Sequence, residues 1–312
     1  MSSTSLTHRN GREEPQLAGN IMRLPNFIIG GVIKGGTTSL NYYLKQHPDV
    51  FMSRFKEPRY FAYEPDNPDH VEGRGLRFPI RTLTEYAALF EEATTERAIG
   101  ESSPHYLRSP QAPGLIKETI PDVRLIFSLR DPVKRAYSSY WHKVRLGIED
   151  RPVEDALMEQ DQAVQHGLYS QSLEKWNALF DPAQIKIILF EDLIRDTLGV
   201  FADLCRFLEV DDTFVPDLVI RNKGGAMKNQ RLGRVYEQIK THPLRQAIDP
   251  FVPAKLRQMM INTRNNNLEE PPPMPPLIAQ RLYDFYREDV EKLESMINRN
   301  LSIWKNQAAP GR

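Results

Sequence analysis

The chain has one cysteine, Cys205, among its 312 residues. No intramolecular disulfide can form, and a cysteine-rich zinc site is excluded. Cys205 stands in the apolar stretch FADLCRFLEV, where a thiol serves as a small buried hydrophobe rather than a reactive group. Histidine is also scarce: there are seven, no two spaced H-x-x-x-H, so no metal site is expected. Net charge is absent, with 41 basic and 41 acidic residues, so no global field draws nucleic acid or an anionic membrane. A local basic pocket remains compatible with that balance. No apolar run is long enough to span a bilayer. The first twenty residues are polar and lack an apolar core, which is not the pattern of a signal peptide. The expectation is a soluble, cytoplasmic protein without a membrane span and without a nucleic-acid partner.

What is present is an alternation of helix and strand. Asn26 to Ile33 reads as a buried strand, followed by glycines and a helix opening near Thr37 with Leu40, Tyr43 and Leu44 on one side. RTLTEYAALFEEA reads as an amphipathic helix with Leu83, Tyr86, Leu89 and Phe90 inward. RAIGES reads as a short strand before a polar turn, and Val123 to Leu129 as the clearest buried strand. Asp131 and Pro132 then supply an N-cap and a first helical residue. A helix around Ser172 to Phe180, a strand over 185–190, a helix carrying Phe201, Leu204, Cys205 and Leu208, a proline-rich connector at 269–276 and a last helix from Ile278 to Leu301 complete the pattern. Short apolar strands alternating with helices predict an α/β fold: a P-loop-like three-layer domain with a central parallel sheet flanked by helices. Residues 1–22 are expected to be a disordered N-terminal segment, 23–305 one domain, and 306–312 a flexible tail.

The stretch NFIIGGVIKGGTTSL sets the functional question. A nucleotide-binding P-loop reads G-x-x-x-x-G-K-[ST], with its lysine at the helix start. Here Lys34 precedes Gly35 and Gly36, and Thr37 and Thr38 open the helix. Backbone amides of such a turn, the helix N-terminus, two hydroxyls and an ammonium together suit an anion. A tight strand-to-helix turn with no ligand is the alternative. The displaced lysine argues against an ordinary NTPase, whose lysine reaches the β- and γ-phosphates. A second constellation is SLRDPVKRAYSSY. Arg130 stands at the C-terminal end of a buried strand, where open α/β sheets bind ligands, and its fork suits a phosphate. Ser138 lies two turns into the next helix. Alone, Arg130 could equally form a surface ion pair with Asp131 or another acid, and Ser138 could simply be a small residue packing one helix against another.

The two motifs together resemble the 3′-phosphoadenosine 5′-phosphosulfate (PAPS)-dependent sulfotransferases, in particular carbohydrate-type and bacterial members, including the heparan sulfate group. KEPRYF, GESSPHYL, GLYSQSLEKW, ILFEDL and NKGGAMKN extend the match in the family's order over roughly residues 25 to 304. The resemblance implies that Lys34, Gly35, Gly36, Thr37 and Thr38 hold the 5′-phosphosulfate of PAPS, and that Arg130 and Ser138 bind its 3′-phosphate. It implies that NKGG closes over that phosphate through Lys223 and Gly224. It implies that Lys34 stabilises the leaving phosphate and that Glu57 is the catalytic base, with His105 as the second candidate, all without a metal. Glu57 read by itself is equally a solvated loop residue, and Lys56 beside it either touches the donor or is solvated. Heparan-type members carry a lysine where this chain has Ser102. The acceptor implied is a sugar or small molecule, sulfated at a hydroxyl or amine. A P-loop kinase or NTPase and a non-catalytic nucleotide-binding protein are the rival readings, and the sequence leaves oligomeric state open.

Overall fold

The central strands of the sheet are buried on both faces, which is why the runs 27–31 and 124–129 read as continuous apolar stretches instead of alternating ones. In the computed structural model, which describes residues 22–67, 70, 78–218, 226–227 and 268–305, the elements run in the following order. They are β1 (Phe27–Gly31), α1 (Thr37–Leu44), β2 (Val50–Met52), α2 (Leu83–Ala88), β3 (Ala98–Ser102), α3 (Ala112–Thr119), β4 (Arg124–Leu129), α4 (Pro132–Leu146), α5 (Val153–Ala156), α6 (Gln162–Gln165), α7 (Tyr169–Asn177), β5 (Ile185–Leu189), α8 (Phe190–Arg195), α9 (Thr197–Leu208), β6 (Ala226–Met227), β7 (Leu268–Glu269) and α10 (Pro276–Ile297). Short 3₁₀ turns cover Tyr60–Ala62 and Tyr106–Arg108.

The main sheet has five parallel strands in the order β2-β3-β1-β4-β5. β6 and β7 form a separate two-residue antiparallel pair. The expected three-layer α/β architecture is therefore the observed one. Side chains alternate between two cores with the two-residue period of a strand. Ile28, Leu125, Phe127 and Leu129 join one core with Trp176 and Leu282, whereas Phe27, Ile29 and Ile126 join the other with Leu40, Phe201 and Leu204. From β1 the chain goes first to β2 and β3 on one side, then to β4 and β5 on the other. That reversal opens a crevice at the C-terminal ends of β1, β3 and β4, the place where such sheets take ligands.

Several boundaries differ from the sequence reading. The first strand ends at Gly31, two residues short of Ile33, because Val32 leaves the ladder to begin the loop. β2, three residues long, is too short for any periodicity to announce it. α7 starts at Tyr169, three residues before Ser172, because a distant residue caps it: the Asp289 carboxylate accepts from Tyr169 N at 2.8 Å, from Ser170 N at 3.1 Å and from the Ser170 hydroxyl at 2.5 Å. The last helix stops at Ile297, where Asn298 adopts a left-handed conformation with φ 48°, so Leu301 packs from the turn beyond it. The start of α4 is as read: Asp131 caps it through Val133 N and Lys134 N, and Pro132 is its first residue. Gly147, with φ 70°, ends it.

Candidate active site

The glycine loop is fixed from below by β4. Val32 N donates to the Ser128 carbonyl at 2.8 Å, and Gly35 N donates to the Val32 carbonyl at 3.0 Å. A Cβ on Gly35 would lie 2.4 Å from the Ser128 carbonyl oxygen, so no larger residue fits without moving backbone. Gly36 has φ 90°, a conformation open to glycine at little cost. α1 makes its first intrahelical bonds from Ser39 N and Leu40 N, both to the Gly36 carbonyl, at 2.9 and 3.2 Å. The amides of Thr37 and Thr38 precede those bonds and are available to an anion, reinforced by the helix dipole. Lys34 lies between the two glycine pairs with φ 71°.

Among the described residues, five other than glycine have left-handed backbone: Lys34, Glu57, Arg59, Glu209 and Asn298. Glu209 and Asn298 are helix C-caps, where that conformation is routine. The other three are the residues that crowd the crevice. Glu57 has φ 61° and Arg59 φ 58°. Glu57 N donates to the Ser102 carbonyl at 3.1 Å and Arg59 N to the Ser103 hydroxyl at 3.0 Å, so the KEPRYF segment is laced onto the end of β3. Backbone strain of this kind is retained where surrounding contacts over-determine it, and it gathers at functional sites.

These contacts bring Glu57 to the loop. Lys56 Nζ donates both to the Thr38 hydroxyl at 3.0 Å and to Glu57 Oε1 at 3.1 Å, bridging loop and carboxylate. The Arg59 guanidinium holds the other oxygen, Oε2. His105 Nδ1 lies 3.9 Å from the same oxygen. Glu57 is thus not a solvated loop residue; its side chain is 24% exposed. Burial pushes its pKa up, but Lys56 and Arg59 outweigh burial and hold it at about 2. His105 is driven the other way, to about 3, by burial first and then by Arg59 and Arg108, with Glu57 opposing. At neutral pH Glu57 is an anion and His105 a neutral imidazole.

Arg130 follows β4 directly. Its Nη1 donates to the Lys34 carbonyl at 3.2 Å, its guanidinium carbon sits 4.8 Å from the centre of the Phe190 ring, and its buried Nε has no partner. It does not form the ion pair with Asp131 that the bare sequence allowed. Asp131 is fully committed: beyond its two capping bonds, it accepts from the Tyr283 hydroxyl at 3.0 Å. Ser138 is half-buried on α4; its hydroxyl makes no hydrogen bond to a described residue, and it lies roughly 9 Å along the axis from the helix's first residue. Lys223 and Gly224 lie outside the described residues.

Sequence reasoning named Lys34 to Thr38, Glu57, His105 and Arg130, and the fold gathers them at one sheet edge. It missed Arg59, the second cation on Glu57, although Arg59 lies within KEPRYF. It also missed Tyr169, whose hydroxyl donates to the Arg130 carbonyl at 2.8 Å, and the fully buried Glu101 of GESSPHYL. In each case the motif was noted but nothing local distinguished the side chain that would turn inward.

Comparison with known proteins bears on the family and the fold. The Sulfotransferase family model matches residues 25–214. The crystal structure of a sulfotransferase from Alicyclobacillus acidocaldarius superimposes with a TM-score of 0.68 at 30% identity, covering 91% of this chain and 100% of that one. The membrane-associated sulfotransferase kil1 of Dictyostelium discoideum is 33% identical over 141 residues, 44% of this chain and 28% of that protein. Human heparan sulfate glucosamine 3-O-sulfotransferase 6 is 30% identical over 221 residues, 66% of this chain and 58% of that protein. The chain thus spans between 28% and 58% of the length of these two curated relatives. With a lysine-bearing glycine loop, an arginine at the end of the neighbouring strand β4 and a family match over more than half its residues, this chain belongs to the sulfotransferase family.

Proposed function

We propose that the protein transfers a sulfuryl group from PAPS to a hydroxyl or amine of a carbohydrate or small metabolite. The observation that carries this reading is the link between the loop and Arg130. The guanidinium reaches the loop's own Lys34 carbonyl, so two anion-binding features sit side by side, one suited to a 5′-phosphosulfate and the other to a 3′-phosphate. The residues fit the donor: a loop that a Cβ at position 35 would obstruct, two amides at the start of α1, and a buried arginine nitrogen without a partner. The donor, when bound, supplies the sulfur and a phosphate leaving group.

The acceptor oxygen or nitrogen bonds to sulfur as the bond from sulfur to the bridging oxygen breaks, and the electron pair leaves on the 5′-phosphate. Lys34 neutralises that developing charge. The acceptor's proton goes to Glu57, already ionised, with His105 as the alternative recipient. A carboxylate held near pKa 2 is a weak base, and the reason lies in its two cations. Lys56 is shared between Thr38 and Glu57. An anion in the loop draws Lys56 toward itself, loosens one of those cations and raises the basicity of Glu57 when the donor is in place.

The kinase or NTPase reading needs an acid for its metal, and Asp131, which follows β4, is spent on capping and on Tyr283. The two readings part in a thermal-shift comparison. The product 3′,5′-ADP without metal, at about 100 times its Kd, adds roughly 2.7 kcal/mol, on the order of 5 °C in Tm. Stabilisation by Mg-ATP instead would overturn the proposal. Binding of 3′,5′-ADP with no transfer to any acceptor from sulfur-labelled donor would identify a non-catalytic nucleotide-binding protein.

A further inference from the structure

Beside the transfer site lies a cluster of cations that the donor and base do not use. A small cavity, with free space of about 10 Å³, is lined by Val32 and Ile33 of the loop, by Pro104 next to His105, and by Arg108, Arg135 and His166. Arg135 is 1% exposed. Its Nη2 donates to the Ala163 carbonyl, and its Nε has no partner. Arg108 donates to the His166 ring. Burial, then Arg108 and Arg135, pushes the His166 pKa down to about 2, so the ring is neutral and adds no countercharge. Among the described residues, no carboxylate lies within ion-pair distance of Arg108 or Arg135.

Two arginines close together, one fully buried and neither paired with an acid, are costly for a fold to keep. Balanced net charge over the whole chain makes the local excess more pointed. The cavity touches Val32 and Ile33 of the loop and Pro104, whose neighbour His105 lies 3.9 Å from Glu57, so its arginines stand near the loop and the base. Free space of about 10 Å³ is room for about one water-sized sphere, enough for a single oxygen of an oxyanion whose other atoms stay outside.

We infer that Arg108, Arg135 and His166 form an acceptor subsite for an anionic substituent, a carboxylate or sulfate carried by the molecule to be sulfated. The inference rests on the sulfotransferase reading for the identity of the reaction, and it narrows the acceptor to an anionic class. The arginines donate to the oxyanion and fix its distance from Glu57, so the reacting hydroxyl or amine is placed by its neighbouring charge.

The test separates this from the donor reading. The probe is inorganic sulfate, titrated by thermal shift against sodium chloride of equal ionic strength, with and without saturating 3′,5′-ADP. Wild type is expected to show a saturable sulfate response in the presence of 3′,5′-ADP. Arg108→Gln, a change at a half-buried turn residue, should weaken it roughly 10- to 100-fold, the loss of one charge-assisted hydrogen bond. Affinities for both 3′,5′-ADP and PAPS should be unchanged in that variant. A second arm uses labelled donor with 4-nitrophenyl β-D-glucuronide and 4-nitrophenyl β-D-glucoside, which differ by carboxylate against hydroxymethyl. The glucuronide is expected to be the better acceptor by at least about 10-fold, and Arg108→Gln should erase that preference. An undiminished sulfate response in Arg108→Gln, or none in wild type, overturns the inference. So does a fall in PAPS affinity without a fall in 3′,5′-ADP affinity, which would assign the arginines to the donor's sulfuryl group. Failure of 3′,5′-ADP itself to bind sinks the donor reading and leaves the sulfate arm without nucleotide as the judge of this one.

Discussion

Glu101 offers the sharpest physical test of the site's electrostatics. It lies on β3 with no solvent exposure. The Tyr86 hydroxyl donates to its Oε1 at 3.3 Å, and its Oε2 has no partner. Burial, assisted by the charge of Glu57, raises its pKa from 4.5 to about 7. The folded protein therefore holds this proton more tightly than the unfolded chain does. The stabilisation is fully present below pH 4.5 and is lost as pH rises through about 7. At 1.36 kcal/mol per pKa unit, the shift is worth about 3 kcal/mol. Glu101→Gln keeps the shape and an oxygen for Tyr86 but cannot ionise. Urea unfolding of both proteins at about pH 5 and about pH 8.5 gives the stability difference at each pH. Subtracting one difference from the other cancels groups that titrate alike in both proteins. Glu57, with a pKa of about 2, is ionised at both pH values and does not intrude. The variant should gain about 2.5 kcal/mol relative to wild type between the two pH values, because pH 5 already lies above the unfolded pKa of 4.5 and part of the shift is spent there. A gain under ~1 kcal/mol would show that Glu101 is not held protonated by its surroundings, and the reasoning from burial would fail.

Two further outcomes concern the chemistry. Lys34→Ala should lower kcat by at least about 10²- to 10³-fold, because the loop amides and helix dipole alone do not neutralise the leaving phosphate; near-wild-type turnover in a labelled-donor assay would remove Lys34 from the mechanism. Glu57→Gln should slow transfer by about 10²- to 10⁴-fold while 3′,5′-ADP affinity, read by calorimetry, stays unchanged; if His105→Ala instead carries the larger loss, the two residues exchange roles.

The local grammar of the fold was written in the sequence. Asp131, Pro132 and Gly147 specify α4 through hydrogen bonds and dihedrals confined to one turn at either end. The apolar runs 27–31 and 124–129 state that both faces of the sheet are covered. Glycines 35 and 36, with Lys34 ahead of them and two threonines behind, state an anion loop with its charge displaced. Each of these signals spans a few residues and survives without knowledge of what packs against it.

What only the tertiary structure decided is which charges meet. Lys56 touches Thr38 because KEPRYF is bonded to the end of β3, which the sheet order places beside β1. Arg108 meets Arg135 and His166 across two crossovers, the first from the β3–β4 connection and the other two from separate parts of the β4–β5 connection, and Asp289 caps α7 from 120 positions away. No periodicity links such residues, because their separation is set by strand order and helix packing rather than by any repeat along the chain. The pKa values of Glu57, Glu101 and His105 depend on burial and on neighbours distant in sequence. The sequence by itself therefore determined the α/β framework and the loop, while the direction of every proton at the site was settled by the fold.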